Sequence, residues 1–357
     1  MGNRKQHRVE ALSKSIEGAV IKDPNGAHKN IIGYITAFFT VLNITLVRYD
    51  NNVAFEKLRH ETWEIDEDEY KASFTRKCRG DKNSLKAMGD LGYSGSTFFR
   101  TADSKFLVKS LPRHFEHRFF EADLIKPYYD YMASHPDSLL VRITDYVYAP
   151  YPTLGNILKL TPSNHIIMEN LQYGKPSDPE KDKWEAYDLK PLQYFYPQRD
   201  LLPSPLVTET VLKKTLNVFK DKIRITRGEY EELRRTMEED TMFLESADTV
   251  DYSLFLIRFP ASSDPRVIGR RRSRFRSGLV SADGLWKYRF ATLDFFWSKH
   301  NLRTQVLTGA VDAFNVVEQR GPMTVTTSVE DYRQKFLQLV DDLVEVHEDI
   351  NTSDKSG

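Results

Sequence analysis

Apolar residues recur at helical spacing through residues 9–21 (Val9, Leu12, Ile16, Val20), and the turn Asp23-Pro24-Asn25-Gly26 stops the run. The uncharged stretch 31–47 starts as a helix. From Val41, however, Leu42, Ile44 and Leu46 alternate with Asn43 and Thr45, the period of a half-buried strand. It is shorter than the roughly 20 apolar residues of a spanning helix and carries Gly33, Thr36 and Thr40, so no transmembrane segment is predicted. Two short helices are predicted over 55–63 and 66–74, a strand over 105–109, and a helix over 115–132 from Phe119, Leu124, Tyr128 and Tyr131. Strands follow at 139–143, 146–149 and 165–168, so the first half reads as an antiparallel sheet with helices on one side.

Pro- and charge-rich residues 174–183 read as a linker. Beyond it, Tyr230, Leu233, Met237 and Leu244 mark one face of a helix over 228–247, opened by Thr226 and Glu229 at capping-box spacing. Near-continuous apolar content predicts buried strands over 250–259 and 288–297, and a basic loop lies between them at 266–278. A long amphipathic helix is predicted over 328–347, with Ser328 and Asp331 as its cap.

Polar residues that interrupt this pattern carry the candidate chemistry. Gly92-Tyr93-Ser94-Gly95-Ser96 is either an ordinary hairpin turn or a loop whose N–H groups and hydroxyls surround a phosphate. Lys109 sits on the 105–109 strand where a half-buried strand places an apolar residue. It therefore needs a partner, either Glu116 or Glu121 on the next helix or a ligand phosphate. Asp251 and Asp294 are isolated acids in greasy strands. Each either bonds nearby backbone or joins the other around a Mg²⁺-nucleotide, one holding metal and one accepting a hydroxyl proton. Together these parts point to ATP-dependent phosphoryl transfer.

Charge narrows the picture further. Lys+Arg and Asp+Glu are 51 each, so no net field draws the chain to nucleic acid, and nucleic acid is not expected as a partner. Cys78 is the single cysteine, which excludes an internal disulfide and multi-cysteine zinc sites and fits the cytoplasm, with the nucleus also open. The charged N-terminus, Met-Gly-Asn-Arg-Lys-Gln-His-Arg, does not read as a signal peptide.

These residues resemble the phosphatidylinositol phosphate kinases over most of the chain, from about Phe55 onward. Ile65-Asp66-Glu67-Asp68-Glu69-Tyr70 followed by Ser73 resembles the family's segment before its phosphate loop, and the 92–96 turn with Phe98, then Asp103, Lys105-Phe106, Val108-Lys109 and Leu111 resemble its nucleotide loop and ATP-contacting lysine. Pro136, Leu139-Leu140 and Arg142 are similar to its sheet-entry segment. Ile167-Met168-Glu169-Asn170-Leu171 is similar to its interlobe hinge, Tyr187-Asp188-Leu189-Lys190 to a signature whose lysine faces the phosphates, Val250-Asp251-Tyr252-Ser253-Leu254 to the motif of its proposed catalytic aspartate, and Leu293-Asp294 to its metal-binding motif.

The resemblance implies an α+β, two-lobed lipid-kinase fold with antiparallel sheets and flanking helices. It implies one catalytic domain over 1–357, with an N-lobe at 1–171 and a C-lobe at 172–357. Lys109, Lys190 and Asp251 become catalytic. Gly92, Ser94, Gly95, Ser96, Asn170 and Leu171 bind ATP, and Asp294 binds Mg²⁺. The implied activity is transfer of a phosphate to the inositol ring of a phosphatidylinositol phosphate at the cytosolic face of a membrane. The N-terminal helix and the strand near Leu42 suit either a homodimer contact or packing on the core.

Two departures stand against full likeness. Pro191-Leu192 follows Lys190 where the family has Gly-Ser, and 299–304 carries only scattered basic residues in place of a paired lysine. They motivate an alternative, a weakened pseudokinase or scaffold that binds nucleotide or phosphoinositide. Arg266, Arg270, Arg271, Arg272, Arg274 and Arg276 read as a patch for an anionic leaflet, a solvated insert or a nuclear-import signal.

Overall fold

Apolar spacing and caps set the helices of this computed structural model, which describes residues 2–21, 44–49, 52–76, 83–88, 97–151, 153–157, 161–191, 219–264, 266–270, 273–300 and 328–348. Gly92, Ser94, Gly95 and Ser96 lie outside the described residues, as do Cys78, Arg271, Arg272, Leu192 and most of the 31–47 stretch. The chain forms two compact units, one of Met1–Pro136, Val141–Pro176 and Arg266–Arg272, the other of Asp137–Leu140, Ser177–Pro265 and Ser273–Gly357. The change at Pro176 falls inside the predicted linker. Mixed helices and antiparallel sheets make the fold α+β.

The first unit is built on a six-stranded antiparallel sheet. Its strands are β1 (Val47–Arg48), β2 (Leu85–Met88), β3 (Phe98–Thr101), β4 (Phe106–Ser110), β5 (Ile143–Tyr148) and β6 (Asn164–Glu169), in the order β1-β5-β6-β4-β3-β2. Helices α1 (Gly2–Ile21), α2 (Asn52–Lys57), α3 (Glu67–Thr75), α4 (His114–Phe119) and α5 (Ile125–Ser134) accompany it. Single π-helical turns, Leu58–Thr62 and Phe120–Leu124, extend α2 and join α4 to α5. Asp66 caps α3 by accepting from the Glu69 N–H at 2.8 Å. On α3, Tyr70 and Phe74 meet the β4 residue Phe106, with ring centroids 5.0 and 5.9 Å from it.

Beneath these rings lies a buried charge network. Asp145 Oδ2 sits 2.8 Å from Arg48 Nε and 3.5 Å from Arg59 Nη1, and Arg59 also grips Glu67 at 2.9 Å. Burial drives the Asp145 carboxyl upward and the two guanidiniums hold it down; burial prevails. Gly269 brings the 266–270 segment against Trp63. Its φ is +78°, and a Cβ there would stand 2.1 Å from the Trp63 carbonyl oxygen.

In the second unit, β7 (Glu185–Leu189), β10 (Ser253–Pro260), β11 (Leu279–Val280) and β12 (Trp286–Leu293) form a sheet ordered β11-β12-β10-β7. The capping box of Thr226 and Glu229 is present and opens α6 (Arg227–Ser246). The last helix, α7 (Val329–Leu343), opens at Ser328, which accepts from the Asp331 N–H at 2.9 Å. It stops short of the predicted 347, because Val344–His347 leaves as β14 and pairs in parallel with β8 (Ile223–Thr226).

Three other strand expectations are corrected. The 139–143 strand is not continuous: Ser138 and Leu139 are held by Asp240 of α6 at 2.6 and 2.7 Å, and regular pairing begins at Ile143. The single strands predicted over 250–259 and 288–297 are each two strands. Thr249–Val250 (β9) pairs with Trp297–Ser298 (β13) in a separate ribbon, and the breaks fall at Asp251 and Asp294. Uniform apolar content hid both breaks, since a backbone with positive φ leaves hydropathy unchanged.

Candidate functional site

Asp251 has φ +66° and Asp294 φ +64°, the left-handed region in which non-glycine side chains are strained. On one side of them Ser253 pairs with Leu293, and on the other Val250 pairs with Trp297. The two acids therefore occupy opposite strands at one interruption in an antiparallel ladder. Such strain persists only where the surroundings enforce it, and here they do. Tyr252 is fully buried, edge-on to Tyr332 at 4.7 Å and to Phe336 at 4.9 Å. The Tyr332 hydroxyl donates to the Tyr252 carbonyl. After Asp294, Phe295 and Phe296 stack at 5.2 Å inside the core, and the Phe296 N–H donates back to the Asp294 carbonyl at 2.9 Å.

Lys190 reaches the same end of the sheet. Leu189 pairs with Leu254 at the last rung of β7, so the next residue leaves beside the break that holds Asp251. Its ammonium lies 2.8 Å from Asp251 Oδ1 and donates to the Asp251 carbonyl at 2.6 Å. Both side chains are partly open, Lys190 at 21% and Asp251 at 14%. Burial alone lowers the lysine's proton affinity. Asp251, Asp188 and Asp294 outweigh it and raise the pKa above the ordinary lysine value, so the charge is firmly held at neutral pH. Pro191 follows directly and is buried.

The structure thus gathers Lys190, Asp251 and Asp294 in the second unit. Lys109, Asn170 and Leu171 belong to the first. Lys109 is 4% exposed on β4, between Phe98 and Ile166, with its ammonium 5.7 Å from the Phe98 ring centroid. Of its two expected carboxylate neighbours, Glu116 pairs with Arg113 at 3.1 Å. Asn170 ties the end of β6 to the turn before β4. Its amide donates to the Ser104 carbonyl at 2.7 Å and its N–H to Lys105 O at 2.8 Å, while its own carbonyl accepts from Tyr173. Leu171 beside it is 8% exposed.

Asp188 and Asp248 carried no role in the sequence reading. Asp188 is an alternating strand residue indistinguishable by pattern from a solvated one. Asp248 lies just past the helix, where the dipole favours basic residues, and the signal available is that mismatch together with its spacing of three from Asp251. The basic loop is corrected in part. Arg276 is 2% exposed and donates to the Ser138 and Leu140 carbonyls at 2.7 Å each, so it is bound inside the unit. Arg274 is 51% exposed and stands 3.4 Å from Glu232.

As a place for Mg²⁺, the donors are hard carboxylate oxygens of the right kind, but they are few. Among the described residues no group of three His, Cys, Asp or Glu is arranged for a metal. That suits an ion that keeps several waters and takes phosphate oxygens from its nucleotide, with one or two carboxylates from protein.

Parts of the chain are similar to known proteins. A probable phosphatidylinositol phosphate kinase of Dictyostelium discoideum is 28% identical over 211 residues, 58% of this chain and 27% of that protein. The phosphatidylinositol 4-phosphate 5-kinase 1 of Arabidopsis thaliana is 25% identical over 231 residues, 64% of this chain and 28% of that protein. The matched region thus spans little more than a quarter of each relative. The family model described as Phosphatidylinositol-4-phosphate 5-Kinase matches residues 79–278, which include Lys109, Asn170, Lys190 and Asp251 and stop short of Asp294. With more than half of its length matched, the chain belongs to the phosphatidylinositol-4-phosphate 5-kinase family.

Proposed function

We propose that the protein is an ATP-dependent lipid kinase that phosphorylates the inositol ring of a phosphatidylinositol phosphate, and that its two units are the N- and C-lobes of a lipid-kinase fold. The observation that carries this reading is the pair of left-handed aspartates at one break of the β10–β12 ladder, with the Lys190 ammonium on one of them. Asp251 aligns the inositol hydroxyl and accepts its proton, and Lys190 keeps that carboxylate in one orientation. Asp294 is the ligand for Mg²⁺, which when bound neutralises charge on the phosphates. Lys109 supplies a fixed positive charge to the phosphates, and the Asn170-Leu171 backbone meets the adenine. Positioned charge does most of the work in phosphoryl transfer, so few residues suffice. The protein acts at the cytosolic face of an anionic membrane.

A second reading, a nucleotide- or phosphoinositide-binding scaffold with weak turnover, is favoured by one feature: Lys190 is engaged twice by Asp251 and followed by a buried proline. Incubation with Mg-ATP and vesicles carrying each phosphatidylinositol monophosphate separately, followed by lipid analysis, decides between them. A bisphosphate product in one arm supports the kinase. Nucleotide binding with no product in any arm supports the scaffold.

A further inference from the structure

The β9–β13 ribbon is two residue pairs long, too short to be stable by its own ladder. At one end it continues into the acid pair and the main sheet. At the other, Asp248 holds it. Asp248 follows the last turn of α6 with φ +56°, and its N–H donates to the Glu245 carbonyl at 2.9 Å. Its Oδ2 accepts from Ser298 Oγ at 2.8 Å and from the His300 N–H at 2.7 Å, and its backbone carbonyl accepts from the Lys299 N–H at 2.9 Å. Three successive residues, the last of β13 and the two beyond it, are therefore tied to one aspartate beside β9.

We propose that Asp248 is a positioning residue that fixes Asp294 relative to Asp251 by anchoring the strand leaving Asp294 to the helix end from which Asp251 departs. The role rests on the kinase reading above for its catalytic consequence, but the tether itself does not. One oxygen accepts both side-chain bonds, so the chemistry required is an acceptor at that point and not a negative charge. An asparagine oxygen supplies the same acceptor, and asparagine also tolerates the left-handed backbone. Glycine keeps that backbone without strain and removes the acceptor.

The test compares Asp248→Asn and Asp248→Gly with the parent protein. Amide hydrogen exchange over 297–300, together with thermal unfolding to verify folding, reads the tether. Lipid phosphorylation reads its consequence. Asp248→Gly is expected to exchange faster at His300, whose N–H loses its acceptor, and to lose kcat by about 10²-fold, the scale of a misplaced reacting group, with KM for ATP little changed. Asp248→Asn is expected to keep slow exchange and most of kcat. Unchanged exchange in the glycine variant overturns the tether. An asparagine variant as slow as the glycine one overturns the acceptor argument, and a glycine variant with parental kcat overturns the positioning role. If the parent itself transfers no phosphate to any lipid, the kinase reading falls, while the exchange comparison still decides the tether.

Discussion

Asp251 and Asp294 are left-handed at the same interruption of one antiparallel pair, with φ of +66° and +64° and paired residues on both sides of each. A break of this kind costs backbone energy on both strands, about 1–2 kcal/mol per residue, and forms no ladder bond in return. What it provides is two carboxylates released from the pleat, where strict alternation would have turned one side chain of each strand into the core.

Asparagine at either position keeps the shape and tolerates the backbone, so both variants are expected to fold, Asp294→Asn with parental thermal stability and Asp251→Asn with a loss of about 2 kcal/mol as its charged bond to Lys190 goes. Each should lower lipid phosphorylation by about 10³-fold or more. Melting curves and product analysis on vesicles test this together. Retained transfer in both variants would remove the assignment of these carboxylates.

Lys190 leads to a second expectation. Its ammonium is committed to the Asp251 carboxylate and carbonyl, so Lys190→Met leaves a partly buried acid without its counter-ion. A charged hydrogen bond of this kind is worth about 2 kcal/mol. Denaturant unfolding should show a loss of that order, and transfer should fall while nucleotide affinity stays near the parental value. A large drop in ATP affinity with unchanged stability would instead assign Lys190 to the phosphates.

Much of this arrangement is legible in the sequence, for physical reasons that differ by element. Two helices are legible through caps that are chemical as well as periodic: Thr226 with Glu229, and Ser328 with Asp331, each bond where the spacing predicts, whereas the Asp66 cap shows only in the structure. Asp251 and Asp294 stood out because an acid in an apolar strand demands an explanation. The breaks they create did not, since backbone handedness leaves no trace in hydropathy when neither residue is glycine. Arg276 misled for the opposite reason. Among six arginines in one stretch it looks like its neighbours, and only folding shows that it satisfies two buried carbonyls. The Asp248 tether joins residues fifty positions apart in sequence, beyond any local pattern.

The basic stretch therefore divides by environment. Arg276→Ala strands the Ser138 and Leu140 carbonyls and is expected to destabilise the protein by about 3 kcal/mol, seen as a lower denaturant midpoint. Arg266 and Arg270 are exposed. Replacing both with alanine should leave unfolding unchanged and weaken sedimentation with anionic vesicles, at about 1 kcal/mol per side chain. Vesicle binding unchanged in the double variant would exclude this stretch from the membrane contact.

His165 provides a pH-dependent expectation that needs no substrate. It sits on β6 between Ser110 and Val147, fully buried, with neither ring nitrogen hydrogen-bonded among the described residues, and burial pushes its pKa down to about 3. The unfolded chain takes up this proton near pH 6.5, whereas the folded protein resists it until about pH 3. Above pH 6.5 both states are neutral at this residue and it has no effect on the pH dependence. Between those limits the unfolded state binds more protons, so stability falls with decreasing pH by about 1.4 kcal/mol per unit from this residue alone. From pH 7 to pH 5 the loss amounts to about 2 kcal/mol. His165→Leu fills the same apolar site without a titrating group, so urea unfolding at the two pH values should show that much less pH sensitivity than the parent. Equal sensitivity in the two proteins would mean that the imidazole finds a proton partner in the folded state.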